Sequence, residues 1–345
     1  VQVGMILLLF TTASPSLIYI GFAYFIGAGC AFIAAFTLVK IFCPELKLNR
    51  KYLSKNRFKT LISMTVWTLI KYIGVLLRSN VGLIVANIIC GVIVGAEYAI
   101  ILMWQILLVS IMGSITLLFN PNVYSYCAKY DDKGLLTFIS LAARTTAMLS
   151  ALIIGLLTVY SSELLMIWVG SEYAHLGLFA SLLVIPIMFR ASADNLNYVM
   201  IAKLKFKQNA MIYLAAGILT LIFSVIGGHF FGMAGIIIAG GLVMILCECG
   251  GIYLYTAYLM KEKVSSMLRF LFPGVFMLII TFVIGSLIKL VFTGETILSL
   301  ILGGGIITVI ALLICTHLLL RKEDRKSIRT CIPVWIEKKI PIWLF

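Results

Sequence analysis

Between Leu17 and Leu320 the chain passes through one apolar run after another, nearly all long enough to cross a lipid bilayer. A hydrocarbon core about 30 Å thick takes about 20 apolar residues in a helix. Inside lipid every backbone N–H and C=O must be bonded within the protein, which leaves helices or closed barrels. The runs are continuous and lack the period-two alternation of a barrel strand, so helices are expected. Composition agrees: 62% of the 345 residues are hydrophobic and 12% charged, with a mean hydropathy of +1.13. Soluble domains carry about twice that charge, so a water-soluble fold is excluded. The expected fold class is all-α, a polytopic transmembrane helix bundle.

Val1–Phe10 is apolar, lacks a cationic start and is too short to span. It reads as the end of a helix that begins before this sequence, not as a signal peptide. Thr11–Ser16 forms a turn around Pro15, and spans are expected at about Leu17–Lys40 and Phe58–Leu77, the second ending at Arg78-Ser79-Asn80. Val81–Phe119 would be about 57 Å long as one helix, too much for a single crossing. It divides on paper into an interfacial or re-entrant piece up to Gly95 and a span at about Tyr98–Leu118, with Gly82, Gly91 and Gly95 as candidate breaks. Further spans fall at about 135–159, 176–201, 209–230, 233–259, 268–291 and 297–320, with a tight hairpin at Phe231-Gly232. The outer connection Tyr160–His175 reads as an interfacial segment anchored by Trp168 and Tyr173.

Charge tests this count. If the basic linker Cys43–Lys59 is cytoplasmic, alternate connections hold 21 of the 27 Lys and Arg, including the tail Arg321–Phe345. The opposite side holds only Arg78 and Lys289. That asymmetry is the positive-inside pattern, and it gives the net charge of +14 a topological meaning. No nucleic-acid partner is expected, and the location is a cytoplasmic membrane. The eight cysteines lack the paired spacing of a zinc site or disulfide framework, and Cys247 and Cys249 lie on different faces of one helix. No metal and no cofactor is expected. His175 and His229 read as structural. No nucleotide-binding loop or HExxH motif occurs, and the acidic pairs Asp131-Asp132 and Glu323-Asp324 fall beside lysines and arginines in solvated connections.

Function must then come from charges inside the apolar runs, which cost roughly 2.5–3.5 kcal/mol each at mid-membrane and normally face a partner or a wet cavity. Trp67, Lys71, Gly74 and Arg78 share one helical face, as do Thr137, Ser140 and Arg144, and Arg190, Asp194 and Asn197. Glu97 lies near Trp104 and Gln105, and Glu248 near Tyr255. Packing these stripes toward one another around a central cavity is the economical arrangement. Lys71, Arg144, Arg190 and Arg78 are the candidate substrate-binding residues, and their sign suits an anionic ligand. Asp194 and Glu248 are candidates for a coupling ion. Each has a plainer reading. Arg190 and Asp194 can neutralise each other at i,i+4, and Lys71 can lie on Trp67. Arg78 can snorkel to the interface, Glu97 can complement a helix N-terminus, and Glu248 can be protonated or bonded to a neighbouring helix.

The stretch from Trp67 to VGAEYA at 94–99, then LLFNPNVYSYCAKYD at 117–131, VYSSELLMIWVGSEYAHLG at 159–177 and FGMAGIIIA at 231–239 resembles, in order and spacing, the polysaccharide-biosynthesis or O-antigen-type flippases of the multidrug/oligosaccharidyl-lipid/polysaccharide exporter superfamily. The resemblance implies two six-helix lobes across a cavity and, in some members, two extra helices that form a lipid-tail groove. It divides this chain into the end of an incomplete N-terminal lobe (1–42), a basic cytoplasmic linker (43–57), a complete six-helix C-terminal lobe (58–260), two additional helices (261–320) and a basic tail (321–345). It implies a transporter, not an enzyme, that flips a polyprenyl-diphosphate-linked oligosaccharide by alternating access. The partners so implied are a lipid-linked anionic oligosaccharide, membrane lipids and polysaccharide-assembly proteins. The alternatives are a cation-coupled drug antiporter, which calls for an acidic cavity, and a polymerase or ligase on lipid-linked sugars, which calls for a larger outer loop. A channel is a third, and calls for a continuous pore.

Overall fold

A computed structural model describes Gly4 and residues 17–42, 54–294 and 296–318. The rest of the stub, the turn at 11–16, most of the basic linker and the tail lie outside the described residues. Among the described residues the elements are helices joined by short turns, with no strand. The helices are α1 (Leu17–Phe42), α2 (Lys55–Val85), α3 (Val92–Leu117), α4 (Asn120–Ala128), α5 (Asp132–Val159), α6 (Ser161–Trp168), α7 (Gly177–Val184), α8 (Pro186–Ala202), α9 (Phe206–Val243), α10 (Gly250–Met260), α11 (Val264–Leu268), α12 (Phe272–Lys289) and α13 (Ile297–Leu318). Two compact units are present, residues 1–62 and 63–345. The first contains α1 and the basic start of α2, and everything below concerns the second.

Eight helical stretches are long and apolar enough to cross a membrane. One of them, Phe206–Met260, is 55 residues long, enough for two crossings. The chain reverses inside it at Gly232 (φ 59°, ψ −141°), a conformation that only glycine adopts without strain. The arms then pack so closely that a Cβ on Gly227 or Gly235 would run into the other's backbone. The hairpin expected at Phe231-Gly232 is therefore present.

The re-entrant piece is not. α2 continues without a break past Arg78 to Val85, through a π-helical turn at Ala86–Cys90, and ends at Gly91 (φ 93°). Arg78-Ser79-Asn80 looked like a helix end because three polar residues follow an apolar run. Two of them are accommodated by the helix itself: Ser79 Oγ donates to the Val75 carbonyl (2.9 Å) and Asn80 Nδ2 to that of Leu76 (3.0 Å). The buried stripe Gly74, Arg78, Val81, Gly82 and Val85 runs straight through the supposed break. Merging the two pieces leaves the number of crossings unchanged, so the alternation of sides survives.

Ion pairs at both ends agree with it. Lys203 Nζ lies 2.8 Å from Asp132 Oδ1, joining two connections assigned to the basic side. Lys289 Nζ lies 2.7 Å from Glu163 Oε1 and donates to the Val159 carbonyl (2.8 Å), joining two assigned to the other. With the native cysteines replaced, a single cysteine introduced at Tyr130 should react with an impermeant maleimide only from the cytoplasmic side, and one at Thr293 only from outside. Labelling of both from one side would overturn the orientation.

Small residues set the close crossings. A Cβ on Gly155, Gly274 or Gly285 would strike Thr281, Ala147 or Val159, so α5 and α12 approach through their glycines. α8 begins at Pro186, whose ring cannot donate to the preceding turn and separates it from α7. α8 is then fixed to its neighbours by polar ties. Ser192 Oγ donates to the Ala143 carbonyl (3.1 Å), Asn195 Nδ2 to Thr146 Oγ1 (2.9 Å), and the Ser192 and Tyr253 hydroxyls meet at 2.6 Å.

Candidate functional site

Those ties hold one side of α8 and leave Arg190, Asp194 and Tyr198 half-buried along another, at i, i+4 and i+8. α2 brings Lys71 and Arg78 to the same region. The π-helical turn Met244–Cys249, between α9 and α10, brings Glu248. Arg78 Nε lies 2.7 Å from Glu248 Oε2, with side-chain exposures of 5% and 0%. Arg190 Nε stands 3.8 Å from Asp194 Oδ2 and 3.9 Å from Glu248 Oε1. Lys71 Nζ donates to Asn197 Oδ1 (3.5 Å), which also accepts from Asn209 Nδ2, and lies 4.4 Å above the Tyr213 ring.

Lys71, Arg78, Arg190, Asp194 and Glu248 thus form one cluster from three parts of the chain. When all five are ionised it carries one excess positive charge. Its two ends differ. Arg78 and Glu248 are sealed inside as a close ion pair, in which Arg78 Nε and both Glu248 oxygens lack a hydrogen-bond partner. Lys71, Arg190 and Asp194 form a half-buried rim. At that rim Arg190 is poorly satisfied: neither carboxylate is within hydrogen-bonding distance, and its buried Nε has no hydrogen-bond partner. A guanidinium has five donors in a fixed fork and costs free energy when buried without acceptors.

Several sequence expectations change here. Arg78 does not snorkel; it is buried against Glu248. Lys71 lies on Tyr213, and Trp67 is instead covered by Lys207 (5.7 Å). The i,i+4 pair Arg190–Asp194 is present, though long. Glu97 sits in the second turn of α3, not the first, and meets His175 Nε2 at 3.4 Å. Arg144 donates to Ser140 Oγ (3.3 Å), one turn earlier on the face they share, and its guanidinium lies 5.6 Å from the Phe270 ring. Cys249 is buried and Cys247 half-buried, as different faces require. Asn209 and Tyr213 escaped notice although their i,i+4 spacing, one turn beyond three lysines, marks a polar face at a helix start. No group of three or more metal-ligating side chains occurs among the described residues.

No protein-family model matches the chain. Over 252 residues it is 30% identical to the uncharacterized membrane protein EpsK of Bacillus subtilis (strain 168), an alignment covering 71% of this chain and 49% of that protein. The chain therefore spans about half the length of that curated relative. Its fold matches the lipid II flippase MurJ in an inward closed conformation, with a TM-score of 0.55 at 18% identity, over 88% of this chain and 62% of that one. The likeness establishes the fold, and the relative is itself a membrane protein. The chain is a multi-pass membrane protein.

Proposed function

We propose that this chain is part of a flippase that moves a polyprenyl-diphosphate-linked oligosaccharide across the membrane by alternating access, with Lys71 and Arg190 holding the diphosphate. It acts as a carrier and not as an enzyme. The observation that supports this best is Arg190: a mostly buried guanidinium on the rim of a net-cationic cluster, with acceptors near it but none in bonding range. A diphosphate cannot enter hydrocarbon unaided. Two cations on rigid helices replace its hydration with charge-assisted hydrogen bonds, and the isoprenoid tail stays in lipid. Asp194, 3.8 Å from Arg190, competes with the phosphate for the same fork and so favours release as well as capture. The sugar needs only water, which an exposed rim supplies. Rocking of the helical bundle then presents the bound head group to each side in turn.

Binding tests the assignment before turnover enters. With the intact protein in nanodiscs, Arg190→Ala should weaken binding of a fluorescent polyprenyl-diphosphate sugar by about 10- to 150-fold, the worth of a charged hydrogen bond. Lys207→Ala, which removes a cation resting on Trp67, should change it less than threefold. The loss should vanish for the matching uncharged polyprenol. Equal binding by wild type and Arg190→Ala would reject Arg190 as the phosphate ligand.

A further inference from the structure

A different ligand chemistry lies deeper in the same unit. A void of about 20 Å³ is lined by Arg78 and Gly82 of α2, Tyr98 and Gln105 of α3, and Thr220 and Ser224 of α9, with apolar side chains closing the rest. On α2 and α9 the lining residues are one turn apart, so two helices present paired positions to one space. Gly82 has a specific part: a Cβ there would run into the Tyr98 hydroxyl, so its absence lets that hydroxyl reach the space. The volume exceeds the roughly 10–15 Å³ that one water needs, and leaves no room for an organic molecule.

The lining is rich in donors. Ser224 is fully buried and its hydroxyl has no hydrogen-bond partner. Arg78 lines the void; its Nε lies 2.7 Å from Glu248 Oε2 as an ion pair but has no hydrogen-bond partner. The Tyr98 hydroxyl and the Gln105 amide add donors. The Thr220 hydroxyl already donates to the Ala216 carbonyl (2.8 Å) and can only accept.

We propose that this void is a site for a small monoatomic anion of chloride's size, held by Arg78, Ser224, Tyr98 and Gln105. A water accepts only two hydrogen bonds, whereas a monoatomic anion accepts from every donor in a lining that includes a guanidinium. The void is lined by Arg78 and by neither Lys71 nor Arg190. The proposal therefore stands or falls independently of the head-group reading.

Thermal unfolding of the purified intact protein, compared in chloride, bromide and gluconate at equal ionic strength, tests it. An anion that binds only the folded state should raise Tm by about 2–4 °C per tenfold increase above its dissociation constant. Chloride and bromide should do so, and gluconate, too large for the void, should not. Tyr98→Phe and Ser224→Ala, which each remove one donor from the lining, should abolish the halide-dependent increment whatever their basal Tm. Crystals grown in bromide should show anomalous density between Arg78 and Ser224. Identical Tm in all three salts, or density for water alone with no anomalous signal, would overturn the site. The bromide measurement on wild type decides the matter even if both variants fail to fold.

Discussion

Glu248→Ala is expected to cost the folded protein about 3–5 kcal/mol, the range for removing one partner of a buried ion pair. Glu248 has no solvent exposure and is 2.7 Å from Arg78 and 3.9 Å from Arg190. Without it, Arg78 keeps a buried charge with no ion-pair partner among the described residues, and the two guanidiniums lose the group between them. Glu248→Gln should be nearly as costly, because the amide keeps the shape but not the charge. The double variant Arg78→Met, Glu248→Leu should recover most of the loss, since similar-sized apolar pairs often replace buried ion pairs without penalty. Thermal unfolding in detergent and folded yield report both. A neutral Glu248→Ala, or a double variant as unstable as the single, would mean that this pair does not carry the charge balance of the cluster.

The second large effect is on transport. Arg190→Ala and Lys71→Ala should each lower the rate of head-group transfer by about 10- to 150-fold, and the two together should lower it further, because each removes a charge-assisted hydrogen bond worth about 1.5–3 kcal/mol. Arg190→Lys should recover little. An ammonium offers a point charge where the diphosphate presents paired oxygens to a planar fork. Asp194→Asn should move the other way in binding, tightening the complex by removing the competing carboxylate, while turnover slows as release becomes limiting. A variant set in which Arg190→Ala and Arg190→Lys both transport like wild type would show that the fork geometry is irrelevant.

The crossings were legible in the sequence because two independent signals agree on them: apolar run length, and the sidedness of Lys and Arg. Gly232 was legible for a local reason, a hairpin between two long apolar arms. The Arg78 region was misread because the same three residues that end a helix by composition can be carried within one, when Ser79 and Asn80 bond back to carbonyls one turn earlier. The Gly91 break was among the candidates, but glycines at 82, 91 and 95 are equivalent until the packing is known. Gly82 meets Tyr98 and Gly95 meets Asn87, so both lie inside continuous helices, and only Gly91 has positive φ. The charged residues themselves could be named from the sequence, since ionisable groups in apolar runs are conspicuous. Their pairing could not. Arg78 and Glu248 are far apart in the chain, and no helical spacing relates them. Lys71 had a plausible aromatic neighbour at i−4 in Trp67, yet tertiary packing places it on Tyr213 of another helix.

All of this rests on Arg190 being an unfilled anion fork that a diphosphate occupies during transport. The most direct test reconstitutes the intact protein in liposomes with a fluorescent polyprenyl-diphosphate sugar and follows its passage from one leaflet to the other. Wild type should transfer it, and Arg190→Ala, folded to the same yield, should transfer it at least tenfold more slowly. Equal rates for the two proteins would contradict the account.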